Sequence, residues 1–141
     1  MAAPLGVYIH VPFCRRRCDY CAFATYADRD HLMASYVDAL RRDVRRAVEA
    51  GDLVPSSAVF FGGGTPSRLR PDDLCSVLEL VPLAQGAEVS VECNPEDVSS
   101  DAMATYRSAG VTRISLGAQA KAPSLLLLLF REMRIMSTLP N

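Results

Sequence analysis

Three cysteines, Cys14, Cys18 and Cys21, stand in a C-x3-C-x2-C array inside the run GVYIHVPFCRRRCDYCAF, residues 6–23. Three thiolates at that spacing suit an iron–sulfur cluster. Four-iron clusters ordinarily take four cysteines. A triplet therefore leaves one iron without a protein ligand, open to chelation by a substrate or cofactor. Two other chemistries compete. A zinc site would use these thiolates with His10 as fourth ligand, and a C-x-x-C pair can close a disulfide. Zinc ligand pairs usually come in two separated clusters, whereas Cys75 and Cys93 are isolated. Disulfide frameworks belong to small secreted domains, and the N-terminal apolar run precedes Arg15–Arg17, the reverse of the order in a signal peptide.

Two further groups of residues could serve a cofactor beside that loop. Gly62, Gly63, Gly64, Thr65 and Pro66 follow the apolar run 58–61. Glycines after a strand let backbone groups approach a ligand with no Cβ in the way. The G-K-[ST] element of a phosphate loop is absent. Thr65 adds a hydroxyl, and Pro66 fixes the exit of the loop. Glu92 ends the strand expected over 88–91. A carboxylate at the carboxyl end of a strand can accept both ribose hydroxyls of a nucleoside; the alternative is a solvated loop acid. Strand alternation sends Cys93 to the opposite side from Glu92, and Cys75 reads as a packing cysteine in a helix.

The elements that must position these residues follow from periodicity. Val7, Ile9 and Val11 alternate with Tyr8 and His10, which predicts a strand ended by Pro12. In a barrel wall the aliphatics would pack outward against helices. Tyr8 and His10 would face the lumen, with His10 an interior, hydrogen-bonded histidine. A helix is expected over 28–48, from Met33, Tyr36, Leu40, Val44 and Ala47. Asp28 or Asp30 would cap it and Gly51 would end it. Arg41, Arg42, Arg45 and Arg46 would form a solvated face, with Asp38 and Arg42 as an i,i+4 pair. Pro71 opens a second helix, with Asp72 and Asp73 in its first turn and Leu74, Val77, Leu78 and Val81 as its buried stripe. A third is expected over 101–109, capped by Ser100 and ended by Gly110. A strand over 113–116 leads to Gln119. Strand–helix units in succession predict a parallel sheet. The strand ends near 11, 61, 91 and 116 then bring the cysteine loop, the glycine loop, Glu92 and Gln119 to one rim.

Composition bounds the rest. The chain has 141 residues, 50% hydrophobic and 22% charged, with formal net charge −1. That predicts an α/β globular unit of one domain at most and gives no argument for nucleic acid. The longest apolar run, 125–130, is too short to span a bilayer. Five cysteines without a secretion signal point to a reducing compartment, the cytoplasm.

Taken together, VYIHVPFC-x3-C-x-Y-C-x-F, FFGGGTPS, VECNPE and GVTRISLGAQ resemble the oxygen-independent coproporphyrinogen III oxidase-like family of radical S-adenosylmethionine (SAM) proteins. The resemblance covers about residues 6–119 and implies a (βα)6 partial barrel. It implies a [4Fe-4S] cluster on Cys14, Cys18 and Cys21, with the methionine amino and carboxylate groups of SAM on the open iron. An electron from the cluster then cleaves the sulfonium to a 5′-deoxyadenosyl radical. By position, the SAM contacts would be Tyr8, Tyr20, Gly64, Thr65, Glu92 and Gln119. True coproporphyrinogen dehydrogenases carry a further cysteine two residues after the third ligand; here Phe23 stands there. The C-x-Y-C-x-F form is similar to the heme chaperone branch, which binds heme and passes it to acceptor proteins. The implied partners are heme or a porphyrin, a heme-accepting protein and an electron donor.

After Gln119 the motif resemblance stops, and residues 120–141 form a divergent tail. The expectation is a partial (βα) barrel of radical SAM type, truncated after about four βα units by a shortened or frame-shifted reading frame. The alternative is a tail helix that covers the open sheet. The 141-residue chain on its own is not expected to turn over coproporphyrinogen III. An inactive fragment, binding zinc or nothing, is the remaining reading.

Overall fold

The computed structural model describes residues 5–15 and 24–117. Four strands, β1 (Gly6–Val11), β2 (Ser56–Gly63), β3 (Leu83–Cys93) and β4 (Arg113–Leu116), form one sheet in the order β1-β2-β3-β4. Every neighbouring pair is parallel. Between successive strands run α1 (Met33–Ala50), α2 (Pro71–Leu78) and α3 (Ser100–Ser108). The architecture is α/β, as the succession of strand and helix patterns requires.

Alternation decides which face the helices cover. Val7, Ile9, Val11, Val59, Phe61, Val89, Val91, Cys93, Ile114 and Leu116 belong to one hydrophobic core with residues of all three helices. The intervening residues lie on the other face, where Tyr8 is 57% and Phe60 37% exposed. Parallel sheets normally have both faces covered. Here one face packs on helices and the other carries Tyr8 and His10.

Several boundaries differ from the sequence reading, each for a physical reason. The segment ahead of α1 is a 3-10 turn, Asp30–Leu32, so the α-helix begins at Met33. Neither Asp28 nor Asp30 caps it. Asp30 is instead ion-paired with Arg68, a residue distant in sequence, and Asp28 with Arg29 at 3.4 Å. Asp38 pairs with Arg41 at 3.9 Å, one residue short of the expected Arg42. Gly51 does close α1, in the left-handed region at φ 78°, where a side chain would be strained. Ser99, not Ser100, caps α3 by accepting the Ala102 amide at 3.1 Å. β3 starts at Leu83, earlier than residue 88, because Leu83 already pairs with Ser56; a register irregularity inside the strand separates that pair from Glu88 opposite Ala58. β4 spans the four residues that its alternation predicts.

The largest difference concerns the glycines. Gly62 and Gly63 belong to β2, pairing with His10 and Val11. Only Gly64 opens the loop. Among the described residues no helix is long and apolar enough to cross a membrane.

Candidate functional site

The cysteine loop and the glycine loop are laced together by backbone. The Gly64 amide donates to Val11 O at 2.8 Å and the Thr65 amide to Phe13 O at 2.7 Å. The far side of the cysteine loop is held as well: Cys14 N donates to Tyr26 O at 3.1 Å, and Tyr26 N to Pro12 O at 2.7 Å. These bonds leave no space above Gly64. A Cβ there would lie 2.7 Å from Phe13 O and 2.9 Å from Cys14 Sγ. Thr65 Oγ1 donates to Cys14 Sγ at 3.7 Å, within reach of a sulfur acceptor. Gly64 and Thr65 therefore stand directly against the first cysteine of the triplet.

Under this loop lies an aromatic floor. Tyr8 and Phe60 stack at 6.0 Å between centroids, 15° from parallel. Gly62 permits it, because a Cβ there would meet Phe60 Cε1 at 2.5 Å and Tyr8 Cε2 at 3.1 Å. His10 lies over Gly63 in the same way, at 2.4 Å from the position of a Cβ. Both His10 ring nitrogens are engaged, Nδ1 with the Tyr8 hydroxyl at 3.2 Å and Nε2 with Ala24 O at 2.9 Å. A carbonyl only accepts, so Nε2 carries the hydrogen, and in the neutral ring Nδ1 accepts from Tyr8. A histidine committed at both nitrogens has no lone pair for zinc, which argues against His10 as a fourth metal ligand. The Tyr36 hydroxyl donates to His10 O and fixes the same strand from the helix side.

Glu92 is partly exposed at the end of β3, on the Tyr8 face, and pairs in register with Ser115. Burial pushes the Tyr8 phenol above its usual range, and the negative charge of Glu92 adds to the shift. Glu92 is thus close enough to act on the floor electrostatically. Ser90, two residues earlier on this face, is buried and donates to Glu88, which also accepts from Arg113 at 3.2 Å.

The two remaining described cysteines lie in the hydrophobic core. Cys75 is buried in α2, with Sγ 3.8 Å from Thr105 O. Cys93 is buried on the helix face of β3. Burial pushes the Cys75 thiol up to about 11 and the Cys93 thiol up to about 12. Buried among apolar residues of the core, both act as packing groups. Tyr8, Cys14, Gly64, Thr65 and Glu92 are brought to one rim. Cys18, Tyr20, Cys21 and Gln119 lie outside the described residues.

The cysteine-loop residues that are described fit a cluster. Cys14 is half-buried, receives a hydroxyl donor and faces a backbone that carries no side chain. Hydrogen bonds to cluster sulfurs and ligands are a common means of tuning such centres. Sequence reasoning missed Phe60, although the alternation that exposed Tyr8 also assigns Phe60 to the lumen face. It also missed Arg15, Ser67 and Asp97, which meet at the same rim and share no sequence spacing.

Comparison with known proteins agrees with this geometry. The profile of the radical SAM superfamily matches residues 8–134. A heme chaperone of Mycobacterium tuberculosis is 44% identical over 135 residues, 91% of this chain and 35% of that protein. A heme chaperone of Escherichia coli is 38% identical over 122 residues, 83% of this chain and 32% of that protein. The mitochondrial radical S-adenosyl methionine domain-containing protein 1 of Danio rerio is 33% identical, over 84% of this chain and 28% of that protein. Among solved structures, the coproporphyrinogen III oxidase of Escherichia coli, described as a radical SAM enzyme, superposes with a TM-score of 0.80 at 25% identity. That match covers 94% of this chain and 35% of the oxidase. The chain spans about a third of the length of these relatives. With its parallel wall, its cysteine loop locked against a glycine loop and a profile match over most of its length, the chain belongs to the radical SAM superfamily.

Proposed function

We propose that this chain forms the cluster- and SAM-binding part of a heme chaperone. The observation that carries the reading is the contact between the two loops: Cys14 Sγ occupies the space that a side chain at residue 64 would fill. A cluster on Cys14, Cys18 and Cys21 would then sit beside the backbone proposed to receive the methionine end of SAM. Membership of the superfamily and the heme chaperones among the relatives support the assignment.

The residues would divide the work as follows. Cys14, Cys18 and Cys21 hold three irons of a [4Fe-4S] cluster. The bound cluster supplies the electron that reductive SAM chemistry requires. Thr65 stabilises the Cys14 thiolate by donating to it. Gly64 lets backbone approach the ligand. Tyr8, its hydroxyl hydrogen committed to His10, offers its oxygen as an acceptor. Glu92 accepts from ribose hydroxyls. Tyr20 and Gln119 complete the contacts from the cysteine loop and the end of β4. Heme, a heme-accepting protein and an electron donor are the proposed partners, and the cytoplasm is the proposed location.

The competing reading is oxidative decarboxylation of coproporphyrinogen III, favoured by the name of the structural neighbour. Phe23, in place of a further cysteine, argues against it. A heme titration run beside a decarboxylation assay with SAM and a reductant separates the two. The expected result is a saturable heme absorption band; this chain is expected to form no decarboxylated product on either reading, so heme binding decides. Product formation without heme binding would reverse the assignment.

A further inference from the structure

The loops after β1, β2 and β3 converge on one carboxylate. Asp97 Oδ1 accepts from the Arg15 guanidinium at 2.7 Å, and Asp97 Oδ2 accepts from the Ser67 hydroxyl at 2.8 Å. Ser67 Oγ in turn accepts the Asn94 backbone amide at 2.9 Å. Arg15 directly follows Cys14, Ser67 lies two residues beyond Thr65, and Asn94 two residues beyond Glu92. The cysteine loop, the glycine loop and the loop of the acid are therefore tied through a single side chain. That side chain is only 9% exposed, whereas Arg15 is 49% exposed and its second acidic neighbour, Glu96 at 3.8 Å, is 62% exposed.

A carboxylate so far out of water needs partners for both oxygens. Each oxygen of Asp97 takes one from a different loop, and neither partner lies in α1, α2 or α3. Moving Arg15 would leave the acid with the Ser67 hydroxyl but no cation, so the position of the cysteine loop is coupled to the other two. A surface pair such as Arg15–Glu96 would be worth little; the buried end of the network sets the coupling.

We propose that Asp97 is a positioning residue for the cluster loop, clasping Arg15 and Ser67 so that Cys14 stays seated against Gly64. The inference rests on Cys14 being a cluster ligand, and it assigns Asp97 no contact with cluster or SAM.

The test is a double-mutant cycle on the reconstituted chain with Arg15→Gln, Asp97→Asn and the pair together. The readouts are the rate of iron release to a chelator, the change in the EPR spectrum on adding SAM, and the far-UV melting midpoint. Partners of this kind typically change metal affinity about 10- to 100-fold. Measured well below the melting midpoint, which loss of a buried partner should lower, each single variant is expected to release iron about tenfold faster, and the double variant no faster than Asp97→Asn alone. Asp97→Glu, which keeps the charge, should recover part of the loss. Ser67→Ala, which removes only a hydroxyl, should show the same direction at smaller amplitude. Wild-type release rates, or single effects that simply add, would overturn the clasp while leaving the cluster assignment standing. If the wild type assembles no cluster, that assignment fails and the clasp is judged in the apo chain by hydrogen exchange. Faster exchange of the Cys14 and Asn94 amides in Asp97→Asn would then support it, and unchanged exchange would overturn it.

Discussion

Replacing Gly64 by alanine is expected to deprive the chain of most of its cluster and of its SAM binding together. The reason is contact, since Gly64 is not among the glycines in the left-handed region, which are Gly51, Gly63, Gly86 and Gly110. The added Cβ would lie 2.7 Å from Phe13 O, 2.9 Å from Cys14 Sγ and 3.0 Å from Pro12 C. Two of these atoms are backbone, held by the Thr65 amide on one side and by the Tyr26 pairing on the other. They cannot swing away as the end of a flexible side chain could. Overpacking of this kind costs about 1–3 kcal/mol, and each 1.4 kcal/mol is tenfold in an equilibrium. Iron content after desalting and SAM affinity should both fall, by about fivefold to a hundredfold. Gly6→Ala is the control, because a Cβ at Gly6 meets nothing within 4 Å. A Gly64→Ala chain with wild-type iron content and SAM affinity would show that the two loops do not form one site.

Glu92→Ala is expected to separate the two cofactors. Glu92 lies on the Tyr8 face of β3 and acts on Tyr8 through its charge, and among the described residues it has no hydrogen bond to Cys14 or the glycine loop. Removing it should leave iron and sulfide content unchanged. A hydrogen bond to a charged group contributes about 1.5–3 kcal/mol, so SAM affinity should fall about 10- to 100-fold. Equilibrium dialysis with labelled SAM, run beside an iron assay on the same sample, reads both. Loss of the cluster with SAM affinity retained would contradict the role given to Glu92. Burial is the larger cause of the raised Tyr8 phenol, and the same substitution removes the smaller one, the charge of Glu92. The raised value means that the Tyr8 proton is held more tightly, and the variant should titrate at lower pH, closer to an ordinary tyrosine.

Much of this site can be read in the sequence, because its logic is local. Strand alternation alone assigns Val7, Ile9 and Val11 to the helices and Tyr8 and His10 to the lumen, and the structure follows that division. The same rule puts Glu92 on the face of Tyr8 and Cys93 on the helix face. β4 is legible for the same reason, as four alternating residues between turn signals. What escaped were features set by distant partners. Asp30 looks like a helix cap until Arg68 is brought to it. Gly62 and Gly63 look like loop residues, yet they continue β2 because Phe60, Tyr8 and His10 lie over them. Arg15, Ser67 and Asp97 carry no mutual spacing, and only the parallel order of the strands makes them neighbours.

The central claim is that three loop cysteines hold a cluster with one open iron. The most direct measurement is anaerobic reconstitution of the chain with iron and sulfide, followed by EPR of the reduced protein with and without SAM. The wild type, Cys75→Ala and Cys93→Ala should each show a reduced-cluster signal that changes when SAM is added, while Cys14→Ala, Cys18→Ala and Cys21→Ala should each lose it. A signal indifferent to SAM, or one that survives Cys14→Ala and disappears in Cys93→Ala, would contradict the account.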